Sequence, residues 1–287
     1  MALARGITLA ENDPARASGL LALLGAPGHA FVVGVTGPPG TGKSSVVDKL
    51  IESYRKKGLK VGVIAVDPTS PITGGALLGD RIRMTAHASD RNVFIRSMAS
   101  RGWSGGLSRA TSQVIRLMDA AGFDLILLET VGIGQSDIEV VGVSHAVLVL
   151  LMPGLGDEIQ VSKAGLMEVG DVYVVNKSDL EGADQMVISL LALFRGSPRS
   201  PPVLKVSALT GEGVERLQAA IEDIHSRFAK GNPELRLKSI RGIIIETARG
   251  AALEKFASVS EARADRLARQ VMEGKISVEV AAARLAT

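Results

Sequence analysis

Apolar residues gather into short unbroken runs, spaced by stretches with helical periodicity. Phe31-Val32-Val33-Gly34-Val35-Thr36 is the first run. Others lie at 60–66, 123–130, 147–152, 171–175 and, shorter, at 203–206. Each has strand length, is rich in Val, Ile and Leu, and lacks polar alternation, which predicts strands buried on both faces of a sheet. The intervening segments 45–51, 107–121 and 183–195 carry apolar residues at helical spacing, and Val214, Leu217, Ile221 and Ile224 fall on one helix face. Strands alternating with helices predict an α/β fold with a mostly parallel central sheet flanked by helices. Residues 1–28 form a helical N-terminal extension through Leu3, Ile7, Leu20, Leu21, Leu23 and Leu24, broken at Asn12-Asp13-Pro14. Its expected place is the edge of the central domain, 29–230. Beyond Asn232-Pro233 the pattern is helical with mixed charge. The segment 231–287 reads as a dimerisation or docking appendage, or as edge packing on the same domain.

The chemistry sits where the apolar runs end. Run 31–36 opens into Gly37-Pro38-Pro39-Gly40-Thr41-Gly42-Lys43-Ser44, followed by Ser45 at the start of a helix. This is the G-x-x-x-x-G-K-[ST] spacing of a phosphate-binding P-loop, in the strand–loop–helix context that the motif requires. The glycines let backbone N–H groups turn inward around an anion, and the helix N-terminus adds positive potential. Lys43 reaches the terminal phosphates and the Ser44 hydroxyl holds magnesium. Run 60–66 ends at Asp67-Pro68, which makes Asp67 either a magnesium-directed carboxylate at the ligand crevice or a turn residue before proline. The glycines of Thr73-Gly74-Gly75 predict a mobile loop and Asp80 a cap for the helix that follows, both compatible with a nucleotide-sensing switch. Run 123–130 ends at Glu129, with Gly132 and Gln135 beyond it. An acid at the end of a buried strand orients magnesium or water. Gly132 lies at the spacing of a GTPase switch glycine, and Gln135 is a candidate to position the attacking water.

Asn176-Lys177-Ser178-Asp179 follows run 171–175 and matches N-K-x-D. Asp179 can accept two protons from a guanine edge, Asn176 ties the base loops together, and Lys177 lies along the ring. Adenine has no matching donors, and sites built on such pairing discriminate by up to about 10⁴-fold. Ser207-Ala208-Leu209 supplies the loop whose backbone meets the guanine oxygen. GTP or GDP with Mg2+ is therefore the expected ligand.

Composition narrows the picture little further. Hydrophobic residues are 46% and aromatics 3%, so the core is aliphatic. The absence of cysteine excludes disulfides and thiolate metal sites. A formal charge of +3 makes no case for nucleic acid, and no apolar run is long enough to span a bilayer. No targeting leader opens the chain, so a soluble, cytoplasmic protein is expected. The arginines at 81, 83, 91, 96, 101 and 109 are solvated surface or, for one of them, a charge-stabilising group. Trp103 is either core or a partner contact.

Taken together, Ala65-Val66-Asp67-Pro68, Thr73-Gly74-Gly75, Gly79-Asp80-Arg81, Glu129 through Ser136 (E-T-V-G-I-G-Q-S) and Pro153-Gly154 with Asp157-Glu158 resemble the MeaB/ArgK family. These are P-loop GTPases of the SIMIBI class that chaperone methylmalonyl-CoA mutase and related adenosylcobalamin-dependent mutases. The resemblance covers most of residues 1–230. It implies a homodimeric GTPase that gates cobalamin delivery to an acyl-CoA mutase and protects it. It also implies that Asp67, Asp80 and Glu129 work around magnesium, and that the loop from about 153 to 163 is a further switch responding to the mutase, with Lys163 a contributor to catalysis. The Trp103-Ser104 pair and the short terminal segments depart from the family pattern. With no evident strong general base, hydrolysis is expected to be slow alone and faster with a partner. Other readings are a P-loop small-molecule kinase, a non-catalytic GTP-dependent binding module, and a nickel-insertion GTPase. The last is weakened by zero Cys and only four histidines, His29, His87, His145 and His225. No D-x-H-x-x-G cobalamin motif occurs.

Overall fold

A computed structural model describes residues 2–24, 28–67, 85–87, 89–99, 110–130, 142–154, 166–196, 200–230, 237, 241, 244, 245, 248 and 261–286. Seven strands form one sheet: β1 (Phe31–Thr36), β2 (Val61–Asp67), β3 (Val93–Ala99), β4 (Leu125–Glu129), β5 (Ala146–Leu151), β6 (Val172–Val175) and β7 (Val203–Lys205). Their order is β3-β2-β4-β1-β5-β6-β7, and every pairing is parallel. Chain order reverses direction at β1, between β4 and β5. In a doubly wound sheet the ligand crevice opens at the carboxyl ends of strands at that point.

Two apolar layers bury the sheet. Successive residues of β1 and β5 alternate between them: Val32, Val147, Val149 and Leu151 point one way, and Val33, Val35, Leu148 and Leu150 the other. Both faces are covered, so the inner strands read as unbroken apolar runs. α3 (Lys43–Lys56) and α7 (Val214–Ala229) cover one face, the latter through the predicted Val214, Leu217, Ile221 and Ile224. α1 (Ala2–Asn12), α2 (Pro14–Leu23), α4 (Thr111–Ala120) and α6 (Ala183–Phe194) contribute to the other. A short helix, α5 (Leu166–Val169), precedes β6.

The N-terminal break is a capping event. Asp13 accepts from the Arg16 N–H at 3.0 Å, and Pro14 occupies the first turn of α2. This extension packs against α4 and reaches the edge strand β3. Ile7, Ala10, Ala17 and Leu21 join the core, Glu11 pairs with Arg96 of β3, and Asp119 of α4 accepts from the Gly28 and Ala30 N–H groups. Leu20, Leu23 and Leu24, read as part of the same apolar stripe, are instead exposed. Strand β3 has no counterpart among the apolar runs, because Arg96 and Ser97 interrupt it and most of it is only half-buried. Arg96 is not free surface but the partner of Glu11.

At the amino-terminal edge, Phe31 stacks with His145 at 5.4 Å and meets His225 in a tilted pair at 4.5 Å between ring centroids, and Phe228 lies 4.3 Å from His145. The Val32 N–H donates to His145 Nδ1 at 2.9 Å.

Residues 1–243 form one compact unit and 244–287 a second. Within the second, α8 (Glu261–Met272) and α9 (Val278–Ala286) pack together, with Arg263 donating to the Arg284 carbonyl at 2.7 Å. Among the described residues no helix is long and apolar enough to cross a membrane.

Candidate functional site: a phosphate loop clasped to a base loop

The loop after β1 turns on glycines. Gly37, Gly40 and Gly42 have φ of 140°, 81° and 84°, a region that side chains rarely enter. At Gly37 a Cβ would also lie 2.1 Å from the Leu150 carbonyl oxygen, so only glycine lets the loop pass this close to β5. Lys43 Nζ donates to the Gly37 and Pro38 carbonyls at 2.8 and 3.2 Å, bending back over the loop. Thr41 Oγ1 donates to the Pro38 carbonyl at 2.9 Å. Lys43 and Ser44 open α3 and are both buried.

Glu129, at the carboxyl end of β4, sits beside Val35 in the register of β1. It is 4% exposed, and the Ser44 hydroxyl donates to its Oε1 at 2.6 Å. Thr130 continues the strand edge, its N–H donating to the Val35 carbonyl and its hydroxyl to Thr36 Oγ1 at 3.2 Å. The Glu129 carboxylate thus reaches the hydroxyl singled out for magnesium.

The base end comes from the loops after β6 and β7. Asn176 is 1% exposed and joins three segments. Its Nδ2 donates to the Thr41 carbonyl at 2.7 Å, and its Oδ1 accepts from the Ala208 N–H at 3.2 Å. A Cβ at Gly42 would stand 2.4 Å from that Nδ2, so the glycine makes room for the clasp. Lys177 has φ of 56°. The Ser207 hydroxyl donates to Asp179 Oδ1 at 2.6 Å. That bond first, and then its own backbone amide, hold the Asp179 carboxyl below the usual carboxylate range. Asp179 is therefore an acceptor near neutral pH.

A cavity of about 510 Å³ connects the two ends, lined by Gly42 and Ser44 on one side and by Asn176, Lys177, Asp179, Ala208 and Leu209 on the other. Ser45, Asp48 and Lys49 of α3 and Leu180 complete its wall. Asp48, Lys49 and Leu180 were not picked out from the sequence. Two of them were accessible by helical arithmetic, since 48 and 49 lie one turn beyond 44 and 45. Among the predicted residues, Gly37 to Ser45, Glu129, Asn176, Lys177, Asp179 and Ser207 to Leu209 converge on the carboxyl edge of the sheet. The backbone of Asp67 ends β2 at that edge, while its side chain, with Asp80, Gly132, Gln135, Lys163 and Trp103, lies outside the described residues.

The oxygen donors suit a hard cation. Magnesium is commonly held by one or two protein oxygens plus substrate phosphates, and Ser44 and Glu129 supply such a pair. Among the described residues no group of three His, Cys, Asp or Glu forms a separate metal cage.

Comparison with known proteins agrees with this geometry. Residues 3–248 match the family described as methylmalonyl Co-A mutase-associated GTPase MeaB. A Pyrococcus horikoshii relative is 49% identical over 83% of this chain and 77% of its own. The mouse protein named methylmalonic aciduria type A homolog, mitochondrial, is 37% identical over 70% of this chain and 51% of its own. A crystal structure of a LAO/AO transport system kinase superposes with a TM-score of 0.69 and 27% identity, covering 99% of this chain and 91% of that one. The loop of Gly37–Ser44 and the Asn176 clasp are the candidate nucleotide site of this P-loop GTPase, and the chain belongs to the MeaB family of methylmalonyl Co-A mutase-associated GTPases.

Proposed function

We propose that this GTPase is a chaperone of an adenosylcobalamin-dependent acyl-CoA mutase, such as methylmalonyl-CoA mutase, and uses GTP hydrolysis to gate cofactor delivery and protect the mutase. The matched family's name and that of the mouse relative support the mutase as partner. One observation carries the guanine-nucleotide reading of these residues. Asn176 joins the phosphate loop to the loop of Ser207–Leu209, so one buried side chain registers the two ends of a nucleotide.

In this reading Asp179 accepts from the guanine edge, Lys177 lies along the ring and the Ala208 to Leu209 backbone meets the base oxygen. The amides of residues 37–45 cradle the phosphates, and Lys43 leaves the Gly37 and Pro38 carbonyls to meet the β- and γ-phosphate oxygens. Ser44 and Glu129 hold Mg2+ with the phosphates, joined by Asp67 and Asp80. Bound magnesium neutralises charge that develops on the transferred phosphoryl group. Gly132 meets the γ-phosphate, Gln135 orients the attacking water and Lys163 contributes charge when the mutase engages. These groups position and stabilise; none is a strong base, which accords with slow hydrolysis alone and acceleration by the partner. A homodimer and a cytoplasmic setting complete the proposal; the latter accords with the absence of cysteine.

The test is GTP hydrolysis by the purified protein with and without methylmalonyl-CoA mutase, together with capture on a GTP analogue from the host. Stimulation and recovery of an acyl-CoA mutase are expected. Capture of no such mutase removes the chaperone role and leaves the GTPase intact. The kinase named for the solved structure belongs to that protein. Release of γ-phosphate to water rather than to an acceptor separates the two chemistries.

A further inference from the structure

The cavity wall contains a carboxylate that neither the phosphate motif nor the base motif uses. Asp48 lies one turn beyond Ser44 on α3, roughly 6 Å along the helix axis. Its neighbour Lys49 is engaged by Glu52 at 3.1 Å. Asp48 Oδ1 lies 2.9 Å from Nε2 of His87, in a one-turn 3-10 helix, Thr85–His87, ahead of β3. Their side chains are 25% and 11% exposed. A carboxylate only accepts, so His87 Nε2 carries the proton and donates. Among the described residues Oδ2 of Asp48 has no protein partner.

A nucleotide fixes what faces this wall. Its base belongs with Asp179 and Leu209, and its phosphates with Gly42 and Ser44. The part between is the ribose, which presents two adjacent hydroxyl donors. The third wall, from α3, offers among its described residues one carboxylate, Asp48, with Oδ2 available, in addition to the Ser45 hydroxyl. A carboxylate beside phosphates carries a repulsive cost, and the His87 N–H offsets it while fixing the carboxyl plane.

We propose that Asp48 accepts the ribose hydroxyls of the bound nucleotide, making it a sugar-specificity residue, and that His87 is the positioning residue behind it. This rests on the assignment of the cavity to a guanine nucleotide. The experiment is titration calorimetry of the full chain with GDP, 2′,3′-dideoxy-GDP and ADP. The wild type is expected to prefer GDP over the dideoxy form about tenfold, the size of one charge-assisted hydrogen bond. Asp48→Ala brings that ratio to about one, as losing the acceptor removes the whole preference. His87→Phe shrinks the ratio, and His87→Gln, which keeps a donor, preserves it. A purely structural role for His87 would lower both affinities and leave their ratio alone. A wild-type ratio near one, or an undiminished ratio in Asp48→Ala, overturns the proposal. Should Asp48→Ala fail to fold, a reduced ratio in Asp48→Asn supports the assignment and an unchanged one overturns it. Equal binding of GDP and ADP would strike at the guanine assignment, while the ribose ratio still decides the role of Asp48.

Discussion

The two ends of the nucleotide site are built on opposite plans. At the phosphate end every named side chain is buried and already bonded to protein: Lys43 to two loop carbonyls, Ser44 to Glu129, Thr41 to Pro38. At the base end Asp179 and Leu209 stand in solvent, and only Asn176 and Ser207 behind them are buried. The phosphate end is thus closed on itself, and under the proposed assignment a triphosphate displaces internal hydrogen bonds to enter. The base end is open and oriented in advance. In the proposed reading, recognition of guanine costs little reorganisation, whereas gripping the phosphates rearranges the groups assigned to hydrolysis. That assignment couples chemistry to occupancy at one end and reads identity at the other.

The most severe way to break this contrast is Gly37→Ala. A Cβ 2.1 Å from a β5 carbonyl at a φ of 140° cannot be absorbed by a side-chain shift. Nucleotide affinity measured by calorimetry should fall more than about 100-fold, with a lowered melting temperature. Asp179→Asn attacks the open end instead. GTP affinity should drop about 100-fold and preference over ATP should collapse, while the melting temperature stays within about 2 °C because the site is exposed. A large loss of stability there would show that the base end is structural after all. The mildest change is Ser207→Ala. It removes the leading cause of the depressed Asp179 carboxyl. GTP binding needs that carboxyl ionised, so it persists on acidification until the pH reaches the depressed value. Without the hydroxyl, binding should be lost at a higher pH, with a loss of a few-fold at neutral pH. Binding isotherms between pH 3.5 and 7.5 measure the shift.

The contrast also explains what was legible in the chain itself. The loop of Gly37–Ser44 and the Asn176-Lys177-Ser178-Asp179 tetrad are local, and their chemistry depends on fixed spacing along a turn. Inner strands such as β5 are buried on both faces, so Val147 to Leu151 had no polar residue to obscure them. β3 sits at the sheet edge, and its Arg96 answers to Glu11, 85 positions away. Asp48 and His87 meet across 39 positions, a proximity that only the packed fold creates. The burial of Ile7 beside the exposure of Leu23 likewise depends on where α4 lies, which no periodicity encodes.

His145 lies five residues of strand away from the chemistry, roughly 17 Å. Burial pushes its pKa down to about 4, with Asp119 opposing and His225 reinforcing the shift. The Val32 N–H already occupies Nδ1, so taking a proton there breaks a bond to the first strand. The unfolded chain binds that proton near pH 6.5, so the folded state keeps its full stability above that pH. It loses up to about 3 kcal/mol as pH falls from 6.5 to 4. His145→Asn, which keeps an acceptor for Val32, should flatten that slope by one proton in urea melts. The molecule therefore carries an acid fuse at the end of the sheet that never meets GTP: mild acid weakens the scaffold through a proton bound far from the nucleotide.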